Sequence, residues 1–227
     1  MINPKGKLIV IEGTDGSGKK TQAELLITHL KRGGFKAISK SFPQYGKKSA
    51  GPTEEFLSGK YGKPTEVDPY ISSVFYVVDR FDLSHELRNL LNAGYIVILD
   101  RYVDSNVGHQ GGKIKDQKSR EKYVEWLYDF EYKIMGIPRP DLVLILHVPA
   151  EFNEKLISQK QTLNKVEKSH ELGLEHLKNA ESSYLWLAQK FPEDHKTVEC
   201  MKKGELLGPD KVHEKVWDAI APILNKK

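Results

Sequence analysis

LIVIEGTDGSGKKT (Leu8–Thr21) joins an apolar run to a glycine-rich segment and then to an amphipathic pattern that begins near Thr21. The four apolar residues Leu8–Ile11 predict a buried β-strand. Glycines let successive backbone N–H groups converge without Cβ clashes, and the N-terminus of the following helix adds partial positive charge. Strand, glycine-rich loop and helix is the order that a phosphate-binding loop (P-loop) requires, so the stretch predicts a nucleoside triphosphate as ligand.

The spacing matches the P-loop pattern GxxxxGK, with one departure. The pattern is complete from Gly13 to Lys19, whose ammonium can reach the terminal phosphates. The next position usually holds a Ser or Thr that contacts Mg²⁺, but here it holds Lys20, so a water or Thr21 is the candidate replacement. A glycine-rich turn without a ligand is the disfavoured alternative. The candidate residues for the triphosphate site are Gly13, Gly16, Ser17, Gly18, Lys19, Lys20 and Thr21.

Composition narrows the class of protein. The 227 residues, 39% hydrophobic and 29% charged, predict one soluble globular domain, and no apolar run is long enough to span a bilayer. The N-terminus does not lead into the apolar core of a signal peptide, so we expect a cytoplasmic protein. Cys200 is the only cysteine, which excludes an internal disulfide. The net charge of +4 is spread along the chain and favours an anionic small molecule over nucleic acid.

Apolar runs and helical patterns alternate along the whole chain. This alternation predicts an α/β fold in three layers, with a five-stranded parallel sheet covered by helices on both faces. The predicted strands are Leu8–Ile11, Phe35–Lys40, Tyr95–Leu99, Leu142–Val148 and Lys196–Cys200. The main predicted helices are 21–32, 68–94, 116–134, 149–157, 172–191 and 209–224.

Asp100 and Arg101 follow the apolar strand Tyr95–Leu99. Ligands bind at the carboxyl ends of parallel strands, where a carboxylate can hold hydrated Mg²⁺ and an arginine can bridge phosphates. A plain salt bridge between the two residues is the weaker alternative. The polar run Val103–Gly112 that follows offers amide, hydroxyl and imidazole groups that can read the edge of a base.

Tyr76 and Arg80 lie four residues apart in a long helical pattern that begins at Asp68-Pro69, so they share one side of the helix. There the ring could stack on a base while the guanidinium binds a phosphate or a carbonyl. The alternative is that Tyr76 belongs to the core and that Arg80 pairs at the surface with Asp79 or Glu86. The spacing alone favours this second interpretation.

Together these residues make the chain resemble the thymidylate kinase family, nucleoside monophosphate kinases that phosphorylate dTMP with ATP. The resemblance runs nearly end to end, and the loop combined with the pattern Asp-Arg-Tyr-x-x-Ser separates this family from other P-loop proteins. It rests on residues 11–19, Phe42-Pro43, Tyr76–Arg80, Asp100–Asn106, His109-Gln110 and Val212–Trp217. The resemblance implies a P-loop NTPase fold, Mg²⁺ with ATP as phosphoryl donor, and a homodimer formed through helices.

The resemblance also assigns roles on the donor and phosphate side. Lys19 and the loop amides would hold the donor phosphates, while Asp15 would accept a hydrogen bond from the 3′-hydroxyl of the acceptor sugar. Arg101 would bind the acceptor phosphate, and Asp100 would help to place Mg²⁺ through water. Lys19, Arg101 and Asp15 are therefore the candidate catalytic residues.

On the base side, the resemblance places Tyr76 against thymine and Arg80 at the base or phosphate, which reverses the preference from spacing alone. Ser105 and Asn106 would lie at the thymine edge, and His109 beside the sugar. The candidate dTMP-binding residues are Asp15, Phe42, Pro43, Tyr76, Arg80, Arg101, Ser105, Asn106, His109 and Gln110.

A polar, lysine-rich segment at about 158–170 is either a lid that closes over phosphates or an exposed connection. Family members without an arginine in the P-loop usually supply one from the lid, but here neither segment contains one. Lysines at 160, 165 and 168 are the candidate substitutes. Gln44 also lies where many relatives have an arginine nearby. These departures keep two alternatives open: a kinase for another deoxynucleotide or deoxynucleoside, and a non-catalytic nucleotide-binding relative.

Overall fold

Five parallel strands form the central sheet of the computed structural model, which describes the backbone of residues 6–164 and 173–224 and their side chains apart from 158–164. The strand order is β2-β3-β1-β4-β5. The strands are β1 (Lys7–Glu12), β2 (Ala37–Ser41), β3 (Ile96–Asp100), β4 (Leu142–His147) and β5 (His195–Glu199), and a hairpin of β6 (Met201–Lys202) and β7 (Glu205–Leu206) follows.

Eight α-helices surround the sheet in the described ranges. They are α1 (Lys19–Arg32), α2 (Gly51–Leu57), α3 (Pro69–Asn92), α4 (Asp104–His109), α5 (Gln117–Tyr128), α6 (Ala150–Asn164), α7 (Leu174–Lys190) and α8 (Pro209–Leu224). Short 3₁₀ turns occupy Lys48–Ala50 and Gly111–Lys113, and a π-helical turn occupies Asp129–Ile134. None of the described helices combines the length and the apolar character needed to cross a membrane.

β1 lies at the centre of the sheet, and its side chains alternate between two cores. Leu8 and Val10 pack with residues of α3, α4, α5 and α7, whereas Ile9 and Ile11 pack with residues of α1 and α8. All four side chains are fully buried, because a parallel sheet is covered on both faces. The predicted three-layer α/β fold with a five-stranded parallel sheet is therefore confirmed.

The register brings the carboxyl ends of β1, β3 and β4 to one edge of the sheet. Ile11 pairs with Asp100 on β3, and Glu12 pairs with Ile145 on β4. The segment after β1 and the segment after β3 therefore leave the sheet side by side. This arrangement places the P-loop next to Arg101.

Four elements differ from the sequence-based expectation. The polar run after Val103 contains helix α4, because its polar groups are paired inside the protein rather than solvated. The helix predicted for 116–134 changes to a π turn after Tyr128. Strands β6 and β7 form a hairpin that was not predicted, because neither strand contains an apolar run. Helix α6 continues to Asn164, beyond the expected end at Ile157, through residues such as Gln and Lys that favour helices. Residues 165–170 of the predicted lid lie outside the described residues.

Candidate active site

The P-loop runs from Gly13 to Gly18 between β1 and α1. A Cβ atom on Gly13 would lie 2.7 Å from the carbonyl oxygen of Leu146 and 2.8 Å from Ser17 Oγ, so only glycine fits there. Gly18 has a φ of +88° immediately before α1, in the left-handed region that other residues avoid. The predicted loop is therefore a tight turn that leads into a helix N-terminus.

Lys19 folds back over this loop. Its side chain is 8% exposed, and Nζ donates a hydrogen bond to the carbonyl oxygen of Thr14 at 2.9 Å. Burial, followed by the nearby Arg101, lowers the pKa of Lys19 to about 8, although Asp15 opposes this effect. An anionic ligand at the loop would restore the ammonium to its full charge.

The other triphosphate candidates are placed differently. Ser17 is buried, and its hydroxyl oxygen has no hydrogen-bond partner among the described residues. Lys20 and Thr21 are exposed on the first turn of α1. Because an α-helix turns about 100° per residue, Thr21 leaves the helix in a direction about 100° from that of position 20.

Asn153 of α6 supports the loop from the other side. Its amide Nδ2 donates to Thr14 Oγ1 at 2.5 Å and to the carbonyl oxygen of Val148 at 3.0 Å. The side chain is fully buried. Helix α6 is therefore bonded to Thr14, the residue whose carbonyl oxygen also accepts the hydrogen bond from Lys19.

Arg101 links the P-loop to the segment after β3. Its backbone has a φ of 69°, a strained conformation for a residue with a side chain, which the bond from its N–H to the carbonyl oxygen of Ile11 at 3.0 Å helps to hold. The guanidinium Nη2 donates to Asp15 Oδ1 at 2.5 Å, and Nη1 lies 3.0 Å from His109 Nε2. Among the described residues, the carboxylate partner of Arg101 is thus Asp15 and not Asp100.

Asp15 is about half exposed, and its charge is stabilised by its neighbours. The Arg101 guanidinium holds the pKa of the Asp15 carboxyl well below its usual range, against the opposing effect of burial, and Lys19 adds to the lowering. Oδ1 is bonded to Arg101, which leaves Oδ2 able to accept another hydrogen bond. An anion that binds Arg101 therefore lies next to the carboxylate of Asp15.

Glu12, the last residue of β1, organises the turn behind Arg101. Its carboxylate is fully buried and accepts hydrogen bonds from the backbone N–H of Tyr102 at 2.7 Å, Ser105 Oγ at 2.7 Å and Tyr184 Oη at 2.9 Å. Burial raises the pKa of Glu12, although Arg101 opposes this effect. Ser105, which the resemblance places at the thymine edge, therefore donates its hydroxyl hydrogen to Glu12.

A pocket opens beside Arg101 and extends away from the P-loop. All ten predicted dTMP-binding residues line it. The pocket is also lined by Tyr45, Phe56, Leu57, Pro64, Tyr102, Lys113 and His176. The sequence motifs thus converge on one cavity, with Asp15 and Arg101 at the end that meets the P-loop.

Tyr76 and Arg80 lie on the same side of α3, as their spacing predicted. The guanidinium carbon of Arg80 is 5.9 Å from the centre of the Tyr76 ring, and both side chains line the pocket. The pairing expected in the alternative interpretation was wrong. Arg80 is 1% exposed, and its carboxylate partner is Glu131 in the π turn, not Asp79 or Glu86.

The Arg80–Glu131 pair leaves part of the guanidinium available. Nε donates to Glu131 Oε2 at 2.7 Å, Nη2 donates to Glu131 Oε1, and Nη1 donates to the carbonyl oxygen of Tyr102 at 3.2 Å. Each terminal nitrogen carries two hydrogens, so each retains one donor for a ligand. The pair also cancels the charge of Arg80, which favours a neutral carbonyl over a phosphate as its ligand.

Other polar side chains of the pocket are already oriented by the protein. Asn106 Nδ2 lies 3.4 Å from the carbonyl oxygen of Ser73, and Gln110 Oε1 accepts from Ser72 Oγ at 2.8 Å. Asn106 and Gln110 are almost fully buried. Their amides are therefore held in place at the wall of the pocket.

Gln44 does not contribute its side chain to the pocket. Its amide Nε2 donates to Asp79 Oδ1 at 3.0 Å, while the next residue, Tyr45, lines the cavity near Arg101. In this loop, where many relatives of the family have an arginine, the side chain that lines the cavity is therefore that of Tyr45. Burial raises the pKa of Tyr45, so its hydroxyl stays protonated and neutral at pH 7.

The residues of this site that sequence reasoning missed include Glu12, Tyr45, Lys113, Glu131 and His176. Glu12 directly precedes Gly13 at the carboxyl end of β1, and this position could have predicted that Glu12 belongs to the site. Lys113 donates to the carbonyl oxygens of Pro64 at 2.5 Å and Val67 at 3.0 Å, and burial lowers its pKa to about 8. No local pattern pointed to Glu131 or His176.

Asp100 was predicted to place a metal ion. Its Oδ1 is buried and has no hydrogen-bond partner among the described residues, so it can accept a bond from metal-bound water. The described residues contain no cluster of three or more His, Cys, Asp or Glu side chains suited to a metal. The donor set therefore fits Mg²⁺ held through water and bound phosphate, and does not fit a site made entirely by protein ligands.

Arg101 contacts Asp15 of the P-loop and also lines a pocket of aromatic and amide side chains. This arrangement defines a class of protein, the P-loop phosphotransferases, which transfer a phosphoryl group between two phosphate-bearing ligands. The family model for thymidylate kinase matches residues 11–207. The chain belongs to the thymidylate kinase family, and it is a nucleoside monophosphate kinase.

Individual relatives agree with this assignment. The chain is 32% identical to a thymidylate kinase of Mycobacterium tuberculosis over 145 residues, 63% of this chain and 67% of the relative. It is 28% identical to a thymidylate kinase of Rickettsia typhi over 216 residues, 92% of this chain and 95% of the relative. The structure is similar to that of thymidylate kinase from Candida albicans, with a TM-score of 0.74, 25% identity, and coverage of 97% and 93% of the two chains.

Proposed function

We propose that this protein transfers the γ-phosphoryl group of ATP to dTMP, giving dTDP and ADP. One observation carries the proposal: the ten residues expected to bind dTMP line a single pocket, which meets the P-loop at the contact between Arg101 and Asp15. The acceptor phosphate and the donor γ-phosphate would thus meet at one arginine. Phosphoryl transfer depends on this alignment and on charge neutralisation more than on covalent chemistry by the protein.

On the donor side, the amides of Gly13–Thr21 and the ammonium of Lys19 bind the phosphates of ATP. Lys19 exchanges its bond with the carbonyl oxygen of Thr14 for phosphate oxygens, which raises its pKa from about 8. An oxygen of the dTMP phosphate attacks the γ-phosphorus. The bond between the γ-phosphorus and the bridging oxygen then breaks, and that oxygen leaves with ADP.

On the acceptor side, Arg101 binds the dTMP phosphate and Asp15 Oδ2 accepts the 3′-hydroxyl hydrogen. The Tyr76 ring stacks on thymine, and the free donors of Arg80 bind a thymine carbonyl. Asn106 and Gln110 face the edge of the base, and His109 lies beside the sugar. Because the Arg80–Glu131 pair has no net charge, it binds a base carbonyl better than a phosphate. Arg101 is therefore the arginine that binds the phosphate.

Asp100, together with the bound phosphates, would hold hydrated Mg²⁺. Its free carboxylate oxygen Oδ1 is the observation that supports this role. The metal would neutralise charge on the donor phosphates.

We also propose a homodimer, a lid at about 158–170 and a cytoplasmic location. The dimer is supported by an exposed apolar stripe on α3 formed by Ile71, Val74, Val78 and Phe81. The cytoplasmic location is the prediction made from the sequence, and the single cysteine, Cys200, agrees with it. The lid remains the sequence-based prediction, with lysines in place of an arginine.

An acceptor panel with ATP and Mg²⁺ tests the proposed reaction. We expect ADP release with dTMP at a higher kcat/KM than with dUMP, dCMP, dGMP or thymidine. Lys19→Ala should abolish turnover, and Arg101→Ala should reduce kcat/KM for dTMP by about a hundredfold or more, because both cations neutralise phosphate charge. Lys31→Ala, at the exposed far end of α1, is the matched control and should retain wild-type activity.

Each outcome of the panel has a defined meaning. Preference for another acceptor would replace dTMP in the proposal while keeping phosphoryl transfer. Binding of dTMP or ATP without any dTDP at high enzyme concentration would instead establish a non-catalytic relative. Wild-type rates in both Lys19→Ala and Arg101→Ala would contradict the assignment of the site.

A further inference from the structure

Two histidines lie side by side, with nearly parallel rings, at the wall of the pocket beside Arg101. His109 ends α4 and His176 lies in the first turn of α7. Their ring centres are 5.3 Å apart with an angle of 13° between the planes, and His109 Nδ1 lies 3.1 Å from His176 Nε2. On its other side, His109 Nε2 lies 3.0 Å from Arg101 Nη1. The three side chains thus form one continuous chain of hydrogen bonds.

The direction of these bonds follows from the chemistry of arginine. A guanidinium only donates, so His109 Nε2 must be the acceptor of the bond from Arg101. The proton of the neutral His109 ring is then on Nδ1, and His176 Nε2 accepts it. Arg101 therefore donates to His109, which donates to His176.

The surroundings keep both rings neutral. Burial, followed by the charge of Arg101, holds the pKa of His109 well below its usual value, with Lys19 and His176 adding to the lowering and Asp15 opposing it. Burial also lowers the pKa of His176, with Lys113 adding to the lowering and Asp15 opposing it. Among the described residues, the Tyr184 ring also contacts His109 in an edge-on arrangement, with a centre-to-centre distance of 6.0 Å.

We propose that His176 is a positioning residue for Arg101: by accepting the Nδ1 hydrogen of His109, it fixes the tautomer in which His109 Nε2 holds the guanidinium. The inference rests on the proposed function, in which Arg101 binds the phosphate of the acceptor. Without an acceptor at His176, the His109 ring can adopt the other tautomer, whose Nε2 hydrogen would face the guanidinium. Arg101 then loses its 3.0 Å bond to His109, and Asp15 becomes its main side-chain partner beside a longer 3.4 Å contact with Ser105 Oγ.

The arrangement also predicts a response to acid. Protonation of His176 turns Nε2 from an acceptor into a donor, so the bond from His109 is lost. The His109 ring is then no longer held in the tautomer that accepts from Arg101, and the bond between Arg101 and His109 is lost as well. Because the pKa of His176 is lowered, this change occurs below the ordinary histidine range. We therefore expect the KM for dTMP to rise in acid beyond the rise caused by protonation of the substrate phosphate, whose second pKa is about 6.

Two variants of the full-length enzyme separate positioning from a structural role. His176→Phe keeps an aromatic ring beside His109 but removes the acceptor. We expect it to raise the KM for dTMP about tenfold at pH 8, the effect of one unpaired buried donor, while the KM for ATP stays within about twofold. The inhibition constant of thymidine, which has no phosphate, should change by less than about twofold.

His176→Gln keeps an acceptor near the position of Nε2 but cannot titrate. We expect it to retain the wild-type KM for dTMP at pH 8 and to show only the substrate's own pH dependence in acid. His213→Gln is the matched control, because it alters a second histidine pair, with His29, between α8 and α1. That control should keep the full acid response of the wild type. Melting temperatures measured for all variants identify any that are destabilised.

Three results would overturn the inference. These are an unchanged KM for dTMP in His176→Phe, an equal loss of dTMP and thymidine binding in that variant, and a wild-type acid response in His176→Gln. The second result would make His176 a contact of the nucleoside. Failure of the proposed function is seen separately, because the wild-type enzyme would then not convert dTMP at any pH.

Discussion

At the scale of single residues, Glu131 is the residue on which Arg80 depends. The two side chains are 0% and 1% exposed, and their bidentate contact joins α3 to the π turn. Removing the carboxylate leaves a buried guanidinium without compensation. We expect Glu131→Leu to reduce the free energy of unfolding by about 3–5 kcal/mol, measured by urea denaturation, and Glu131→Gln to reduce it by less.

The exposed ion pair Lys63–Glu66 provides the control for this comparison. Its side chains are 78% and 66% exposed, so solvent already screens the charges, and Glu66→Leu should leave stability nearly unchanged. Should Glu131→Leu be as stable as Glu66→Leu, the buried pair would carry little of the stability of this region.

What the sequence reveals at this scale depends on whether a residue's role is local. The P-loop residues could be predicted because the motif is defined by spacing within one loop. Tyr76 and Arg80 were placed on one side of α3 by their four-residue spacing, but the partner of Arg80 lies 51 residues away on an element whose packing no pattern specifies. The contact between His109 and His176 spans 67 residues and was unpredictable for the same reason.

At the scale of elements, α3 has two apolar faces. Val77, Leu83 and Leu87 are buried against the protein, while Ile71, Val74, Val78 and Phe81 form a stripe with exposures of 57%, 42%, 46% and 39%. Their spacing of three, four and three residues places them on one face of the helix. A stripe of this kind supports the proposed homodimer, since the same helix of a second copy could cover it.

The stripe makes the proposed dimer testable. Val78→Asp puts a charge at its centre, and we expect this variant to be monomeric in sedimentation or light-scattering measurements in which the wild type is dimeric. Asn89→Asp adds the same charge to an exposed polar position of α3 and should remain dimeric. A monomeric wild type, or a Val78→Asp variant that still dimerises through the same face, would contradict the proposal.

Elements with a regular apolar pattern were predicted well, and those held together by polar contacts were not. The central strands β1, β3 and β4 are short runs of mainly apolar residues, whereas the outer strands β2 and β5 are more polar. Helices α1 and α8 have one apolar face each. In contrast, α4 consists of the residues Asp-Ser-Asn-Val-Gly-His, whose helix is held by bonds such as that from Ser105 to Glu12. Such bonds connect distant segments, so the pattern of α4 itself resembles a loop.

At the scale of the whole molecule, the parallel sheet determines which motifs meet. The segments after β1 and β3 come from residues about 90 apart in the chain, yet the register of Ile11 with Asp100 brings them together. This meeting was predictable, because strands with helical crossovers run parallel and share one ligand-binding edge. The pocket that extends from this edge also needs α3, α4 and α7, whose relative placement depends on side-chain packing that the sequence pattern does not specify.

His195 provides a test of how β5 is joined to this assembly. Its side chain is 5% exposed, and its ring nitrogens lie 3.0 Å from Asp104 Oδ2 on α4 and 2.6 Å from Asp194 Oδ1. Burial alone would lower the pKa of His195, but Asp104 and Asp194 raise it to about 10. The folded protein therefore binds a proton that the unfolded chain releases near pH 6.5.

Because the folded-state pKa is raised, the stability from this proton is complete below about pH 6.5 and is lost as the pH rises towards 10. We expect the free energy of unfolding of the wild type to exceed that of His195→Gln by about 4 kcal/mol more at pH 6 than at pH 10, measured by urea denaturation. Lys19 and Lys113, whose pKa values are about 8, titrate in the same range, but they are common to both proteins and cancel in the difference. A difference that does not change with pH would mean that the His195–Asp104 contact is held by shape and neutral hydrogen bonding, and that the charge of the imidazolium does not stabilise the junction between β5 and α4.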